Sequence, residues 1–192
     1  MKPVPAELSD KLMAAASAAA TGPGLSMSMD DLAGASGVPR ATLYYYFSGK
    51  NDLVSFYVGV MMKRMRDAVA EGLAHDGSPT EQVETIMRAI MRTFSEHPRM
   101  CVEMSDAIGD MVDHAQVMAD MQLGIIIPAV GIITRGNQTG EFDVADPTLA
   151  VVALMGALHN VATMDILTIG SFDADARADA LVPMLLRALQ PR

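Results

Sequence analysis

Arg40, Thr42 and three consecutive tyrosines, Tyr44, Tyr45 and Tyr46, crowd hydrogen-bonding and aromatic side chains into seven residues. An arginine can pair bidentately with the O6 and N7 edge of guanine. A hydroxyl can bond a phosphate or a base edge, and a tyrosine ring can lie against a thymine methyl. Lys50 falls at the start of the next helical stretch, where an ammonium beside a helix N-terminus suits a backbone phosphate. Three tyrosines in a row span most of a helical turn, so they cannot all face a core. Leu43 and Phe47, on the opposite side, are the residues that do. The chemistry on offer is recognition of phosphates and base edges.

The elements that must hold these side chains are legible on either side. Ser28 with Asp31 three residues on is a variant of the capping box, opening a short helix with Leu32 and Ala33 inward. Gly37 can take the positive φ that a corner between helices requires. Pro39 suits the start of the next helix, Arg40 to Phe47, because its missing N–H costs nothing there. That helix ends before Gly49, and Asn51 or Asp52 is expected to cap a new one. Two short helices about a tight corner form a helix-turn-helix, whose second helix enters the major groove.

The run Ala41-Thr42-Leu43-Tyr44-Tyr45-Tyr46-Phe47-Ser48-Gly49-Lys50-Asn51-Asp52-Leu53 resembles the signature of the tetracycline-repressor (TetR) family of bacterial transcription regulators. Leu32-Ala33 and Gly37-Val38 match the helix before it, Gly140-Glu141-Phe142 is again similar, and the resemblance covers about residues 8–60. The loop Gly22 to Ser26 is tighter than usual for the family. The resemblance implies that Arg40, Ala41, Thr42 and Tyr44 contact bases or phosphates, and that Tyr45, Tyr46 and Lys50 contact the backbone. With Ser28 they make the expected DNA-contacting set. It also implies an effector site in the body and a dimer interface built from the last two helices of two subunits.

A chain of 192 residues can bury a substantial core, and 51% of it is apolar, with 17 Met and 5% aromatics. Alternating strand patterns are nearly absent, so the expected class is all-α, with about nine helices. The expected division is residues 1–50, a three-helix DNA-binding head, and residues 51–192, an effector-binding and dimerisation body. A single cysteine, Cys101, excludes an intramolecular disulfide and agrees with a reducing cytoplasm. No basic region followed by an apolar run marks the N-terminus for secretion. The net charge of −9 is unevenly spread. Residues 1–66 hold seven Lys/Arg against five Asp/Glu, a net +2, whereas residues 67–192 hold seven against eighteen, a net −11. An acidic body orients such a molecule head-first onto DNA.

Residues 6–20 read as a first helix, with Leu8, Leu12, Ala15, Ala16 and Ala19 in one stripe. A longer helix over 51–74 joins head to body, and the break at His75 to Pro79 precedes a helix started by Thr80 with Glu84. Val83, Ile86, Met87, Ile90, Met91 and Phe94 follow at helical spacing, the clearest periodicity in the chain. Further helices are expected over 99–112 and 114–136, the latter kinked at Pro128, then a connector over 136–146. Thr148 to Met164 carries no charge, but His159, Asn160 and Thr163 within it and the lack of a basic flank argue against a membrane span. Such a helix is buried all round by its own core and a second subunit. The last helix runs from Ala174 to Leu189, with Pro183 as a local bend.

The body holds the second candidate site. Met61, Met65, Met87, Met91, Met104, Met111, Met118, Met121, Met155 and Met164 lie on its helices, and Met adapts to irregular apolar ligands. Met61, Met65, Met87, Met91, Phe94, Met104, Ile108, Met111, Met118, Met121, His159 and Thr163 are the expected pocket residues, a mostly apolar lining with a few orienting polar groups. Ordinary core packing explains any single Met as well. Metal spacing is absent, and the stripe Glu103, Asp106, Asp110, Asp113 reads as a solvated face, with His114 beside it. Cys101 has no base partner, and neither a phosphate loop nor a Gly-x-Ser-x-Gly elbow occurs, so neither a catalytic site nor a cofactor is expected. The reading is a homodimeric, non-enzymatic regulator, most simply a repressor released from a palindromic operator in double-stranded DNA by an unknown small apolar effector. The alternatives are a constitutive DNA-binding regulator without effector, and a helical small-molecule binding protein or enzyme with a relic head.

Overall fold

The computed structural model describes residues 2–18, 28–98, 101–102 and 114–191, and among these it is helical without strands. The head comprises α1 (Ala6–Ala18), α2 (Met29–Ser36) and α3 (Arg40–Tyr46). The long α4 (Lys50–Ala74) leaves the head for the body, which is formed by α5 (Pro79–Glu96), α6 (His114–Met121), a π-helical turn (Gln122–Ile126), α7 (Ile127–Thr139), α8 (Pro147–Ile169) and α9 (Ala174–Leu189). The expected all-α class is the observed one. The Gly22 to Ser26 loop and most of the helix expected over 99–112 lie outside the described residues, as do Met104, Ile108, Met111, Asp110 and Asp113.

The body is organised around α5, which packs against α4, α7, α8 and α9. Its periodic residues explain why: Val83, Ile86, Met87, Ile90, Met91 and Phe94 are all buried. Its start differs from the sequence expectation. Ser78, not Thr80, is the N-cap, and Glu81 closes a capping box with it while Pro79 occupies the first turn. Thr80 is released for another task. Its N–H and its hydroxyl both donate to Glu141, 3.1 and 2.7 Å away, which fastens the α7–α8 connector onto α5.

The rod from α6 to α7 shows how Pro128 is accommodated. A proline removes one backbone donor and crowds the carbonyl four residues earlier. Here the chain widens just before it, and the Ile127 N–H donates to Gln122 across a π-type span. The expected kink is thus resolved as a π turn. α7 then continues to Thr139, three residues past the expected end, and stops at Gly140 with φ 80°. By length and composition, Val117–Thr139 and Pro147–Ile169 are apolar enough to cross a membrane; α7 and α8 both pack on α5.

α4 starts at Lys50, one residue before the expected start at 51, and its N-cap is Gly49, with no side-chain cap, rather than Asn51 or Asp52. Asp52 accepts the Ser48 N–H instead, at 2.9 Å. Further along, α4 meets α5 at a glycine. A Cβ on Gly72 would lie 2.2 Å from Ile86 Cγ1 and 2.8 Å from the Gln82 carbonyl oxygen. The carbonyl belongs to a helix backbone and cannot step aside. Gly72→Ala is therefore expected to destabilise the protein by about 1–3 kcal/mol through overpacking, read by urea unfolding at fixed protein concentration. An unchanged midpoint would mean the two helices separate freely at this crossing.

Candidate nucleic-acid interface

The corner of the helix-turn-helix is built from short-range bonds. Ser28 Oγ accepts the Asp31 N–H at 3.1 Å and donates to Asp31 Oδ2 at 2.6 Å, while the Ser28 N–H donates to the same carboxylate at 3.0 Å. These bonds hold the Asp31 carboxyl below the usual carboxylate range, the serine hydroxyl contributing most. α2 ends at Gly37, whose φ of 66° is the left-handed turn that a Cβ would strain. Pro39 sits as the N-cap of α3.

Beneath α3, Leu43 and Phe47 are completely buried, and the Phe47 ring lies 5.4 Å from Phe56 of α4. That seat fixes which side chains face outward. Tyr44 is 46% and Tyr45 60% exposed, Arg40 and Ala41 are exposed, and Thr42 and Tyr46 are half-buried. Lys50 is half-exposed in the first turn of α4. The outward residues are already grouped. Arg40 stands over the Tyr44 ring at 5.4 Å and pairs with Asp30 at 2.9 Å. Lys2 lies 3.5 Å from the Tyr45 ring centroid, and Tyr45 meets Tyr46 edge-on. The surface therefore offers Arg40, Ala41, Tyr44 and Tyr45 on one side of α3, with cations on two of its aromatic faces. Ser28 is exposed, with its hydroxyl engaged in the cap. Asp30 and Lys2 are the neighbours that the sequence did not single out; only the three-dimensional corner brings them to the helix.

In the body the expected pocket residues separate into groups. Met61, Met65, Met87, Met91 and Phe94 are buried, Met121, His159 and Thr163 are half-buried, and Met118 is 41% exposed. One cluster does form. The His159 ring meets Phe94 edge-on at 5.7 Å, and its Nε2 donates to the Cys101 carbonyl at 2.8 Å. Thr163 Oγ1 lies 3.8 Å from Cys101 Sγ. A separate cavity of about 30 Å³ opens between α5, α7 and α8, lined by Met87 with Ile86, Ile90, Ile133, Leu154 and Met155 among others. No polar side chain lines it. Its aliphatic lining was hidden in the sequence, because cavity walls and ordinary core residues share one helical period. Among the described residues, no group of three His, Cys, Asp or Glu could hold a metal ion.

A head with this geometry on an all-helical body defines a class: a helix-turn-helix DNA-binding regulator. The sequence profile for bacterial regulatory proteins of the tetR family matches residues 12–55, and that for the tetracyclin repressor-like C-terminal domain matches residues 76–189. The chain belongs to the TetR family of bacterial transcriptional regulators. Solved structures share its fold. The TetR-family regulator PfmR of Thermus thermophilus is 23% identical, covering 99% of this chain and 100% of its own, with a TM-score of 0.76. FadR of Bacillus subtilis, in complex with stearoyl-CoA, is 20% identical over 92% and 97%, with a TM-score of 0.69. The ketosteroid regulator KstR2 of Mycobacterium tuberculosis is 15% identical over 99% and 98%, with a TM-score of 0.78. No curated protein sequence matches the chain.

Burial pushes the Cys101 thiol up to about 11, against a smaller opposing effect of Thr163. The thiolate is the reactive form, so alkylation by iodoacetamide at pH 8 should be on the order of 100-fold slower in the native protein than in urea. Equal rates would show that the Cys101–Thr163–His159 contact opens readily in the folded state.

Proposed function

We propose that the protein is a homodimeric repressor that binds a palindromic operator in the cytoplasm and is released from it by a small, mostly apolar effector. The single observation that carries this reading is the seating of Leu43 and Phe47, which leaves Arg40, Ala41, Tyr44 and Tyr45 outward on a helix of major-groove size. Arg40, Thr42 and Tyr44 would meet base edges or phosphates, and Ser28, Tyr45, Tyr46 and Lys50 the backbone.

Dimerisation supplies the symmetry. α8 and α9 expose Leu149, Val152, Leu167, Ile169 and Met184, an apolar face that a second copy of the same two helices would cover. Two recognition helices then sit about 34–36 Å apart, one turn of DNA. α4 runs unbroken from the recognition head into the body, so a ligand that prefers a different packing of α4 changes that spacing. Weakening operator binding about 100-fold needs roughly 2.7 kcal/mol of coupling.

The effector site is proposed in the body, with Met61, Met65, Met87, Met91, Phe94, Met118, Met121, His159 and Thr163 of α4, α5, α6 and α8 as its lining; the expected Met104, Ile108 and Met111 lie outside the described residues. The related FadR binds stearoyl-CoA. An alkyl chain would have to widen the small apolar cavity beside Met87 and Met155, which adaptable methionine side chains permit. One observation favours a second reading, a constitutive regulator with no effector: the cavity of about 30 Å³ holds little more than one water.

Selection of duplexes from a random DNA pool tests the reader. A palindrome with two half-sites about one helical turn apart is expected, and the double variant Arg40→Ala, Thr42→Ala should bind it at least about 10-fold more weakly while its thermal unfolding stays unchanged. No enrichment by folded, dimeric protein would turn the head into a relic. A graded series of saturated fatty acids and their coenzyme A thioesters then tests the effector. Operator release and a raised Tm within a window of chain length are expected. A series that leaves both unchanged, together with a selected palindrome, would favour the constitutive regulator.

A further inference from the structure

The cation at the start of α3 is held by groups that do not hold the fold. Arg40 Nε lies 2.9 Å from Asp30 Oδ1 across the helix-turn-helix corner, and its Cζ stands 5.4 Å from the centre of the Tyr44 ring. The two side chains of the ion pair are 62% and 56% exposed, and pairs so exposed contribute little to stability. What the pair restricts is orientation. A carboxylate at the Nε edge leaves the two terminal nitrogens of the guanidinium free, and those two form the fork that matches O6 and N7 of guanine. The tyrosine face limits the plane in which that fork can swing.

Charge gives the same carboxylate a second effect. Phosphates dominate the field around DNA and attract any unrestrained arginine. A carboxylate beside the arginine is repelled by those phosphates, so it penalises every pose that offers only backbone. We infer that Asp30 is a positioning residue that sets specificity: it holds Arg40 for a base edge and weakens attachment to DNA lacking that base. This rests on the proposed role of α3 as the DNA reader. Specificity then arises partly from a built-in repulsion rather than from added contacts.

The test uses the full chain with the duplex obtained by selection and a panel of single base-pair substitutions in it. Binding is followed by fluorescence anisotropy beside a random-sequence duplex. A guanine read bidentately carries roughly 5- to 150-fold preference at its position, and Asp30→Asn is expected to lower that preference by at least about threefold while tightening binding to random DNA by about threefold. Asp30→Glu keeps the negative charge in the first turn of α2 but displaces it by one methylene. It should lower the base preference without tightening random binding. Arg40→Ala is the reference. If it abolishes a preference that both Asp30 variants leave intact, the inference about Asp30 fails and the reader stands. If Arg40→Ala leaves every preference unchanged, Arg40 reads no base, and the reading of α3 that underlies the inference fails instead. If Asp30→Asn strengthens consensus and random binding by one common factor, the carboxylate is only a charge, which also overturns the inference.

Discussion

The fit of Phe47 against Phe56 is the constraint on which the rest depends. α3 has only seven residues, too few to be stable alone, and it has no side-chain cap at its start. It exists as a helix because Leu43 and Phe47 are buried, and the Phe56 ring of α4 packs against Phe47. Tyr57 donates its hydroxyl to the Leu12 carbonyl, so α1 is bound to the same helix. The orientation of every outward side chain on α3 follows from this seat. α4 in turn is fixed by its close crossing with α5 at Gly72, so the position of the reading helix is set, through one rod, by the packing of the body.

Electrostatics reinforces that crossing on its solvent side. Arg64 pairs with Glu96 and Arg92 with Glu71, joining α4 to α5, and Arg88 pairs with both Glu84 and Asp179, reaching α9. These groups are largely solvated, so each pair adds little on its own. Their collective effect is on charge distribution. Arg64, Arg88 and Arg92 are each matched by carboxylates of the body, and residues 67–192 keep a net charge of −11.

Much of this was legible in the sequence, for reasons that differ by region. The capping box at Ser28, the positive φ at Gly37 and the periodic run of α5 are local signals, and the structure repeats them. The failures were also local competitions. Thr80 and Ser78 are both capable caps, and Pro79 decided between them by occupying the first turn. Pro128 announced a distortion but not its form, since a kink and a π turn both relieve the same clash. Methionine count pointed to a pocket, yet only Met87 and Met155 of the Met set line the cavity; its other walls are aliphatic residues with no signature of their own. The Asp30–Arg40 pair, ten residues apart on two helices, depends on the angle of the corner, which no spacing rule provides.

The unbroken course of α4 has a consequence for how such proteins can be recombined. Lys50 to Ala74 is a single helix whose first half completes the head and whose second half belongs to the body. The natural seam between reading and responding parts is therefore not a linker but the interior of a helix. A chimera cut at residue 50 would place a foreign helix against Phe47, and the graft would inherit this chain's recognition helix without the Phe56 ring that packs on it or the Tyr57 hydroxyl that binds α1. Exchange of heads between relatives preserves the assembly only when the first turns of α4 travel with the head.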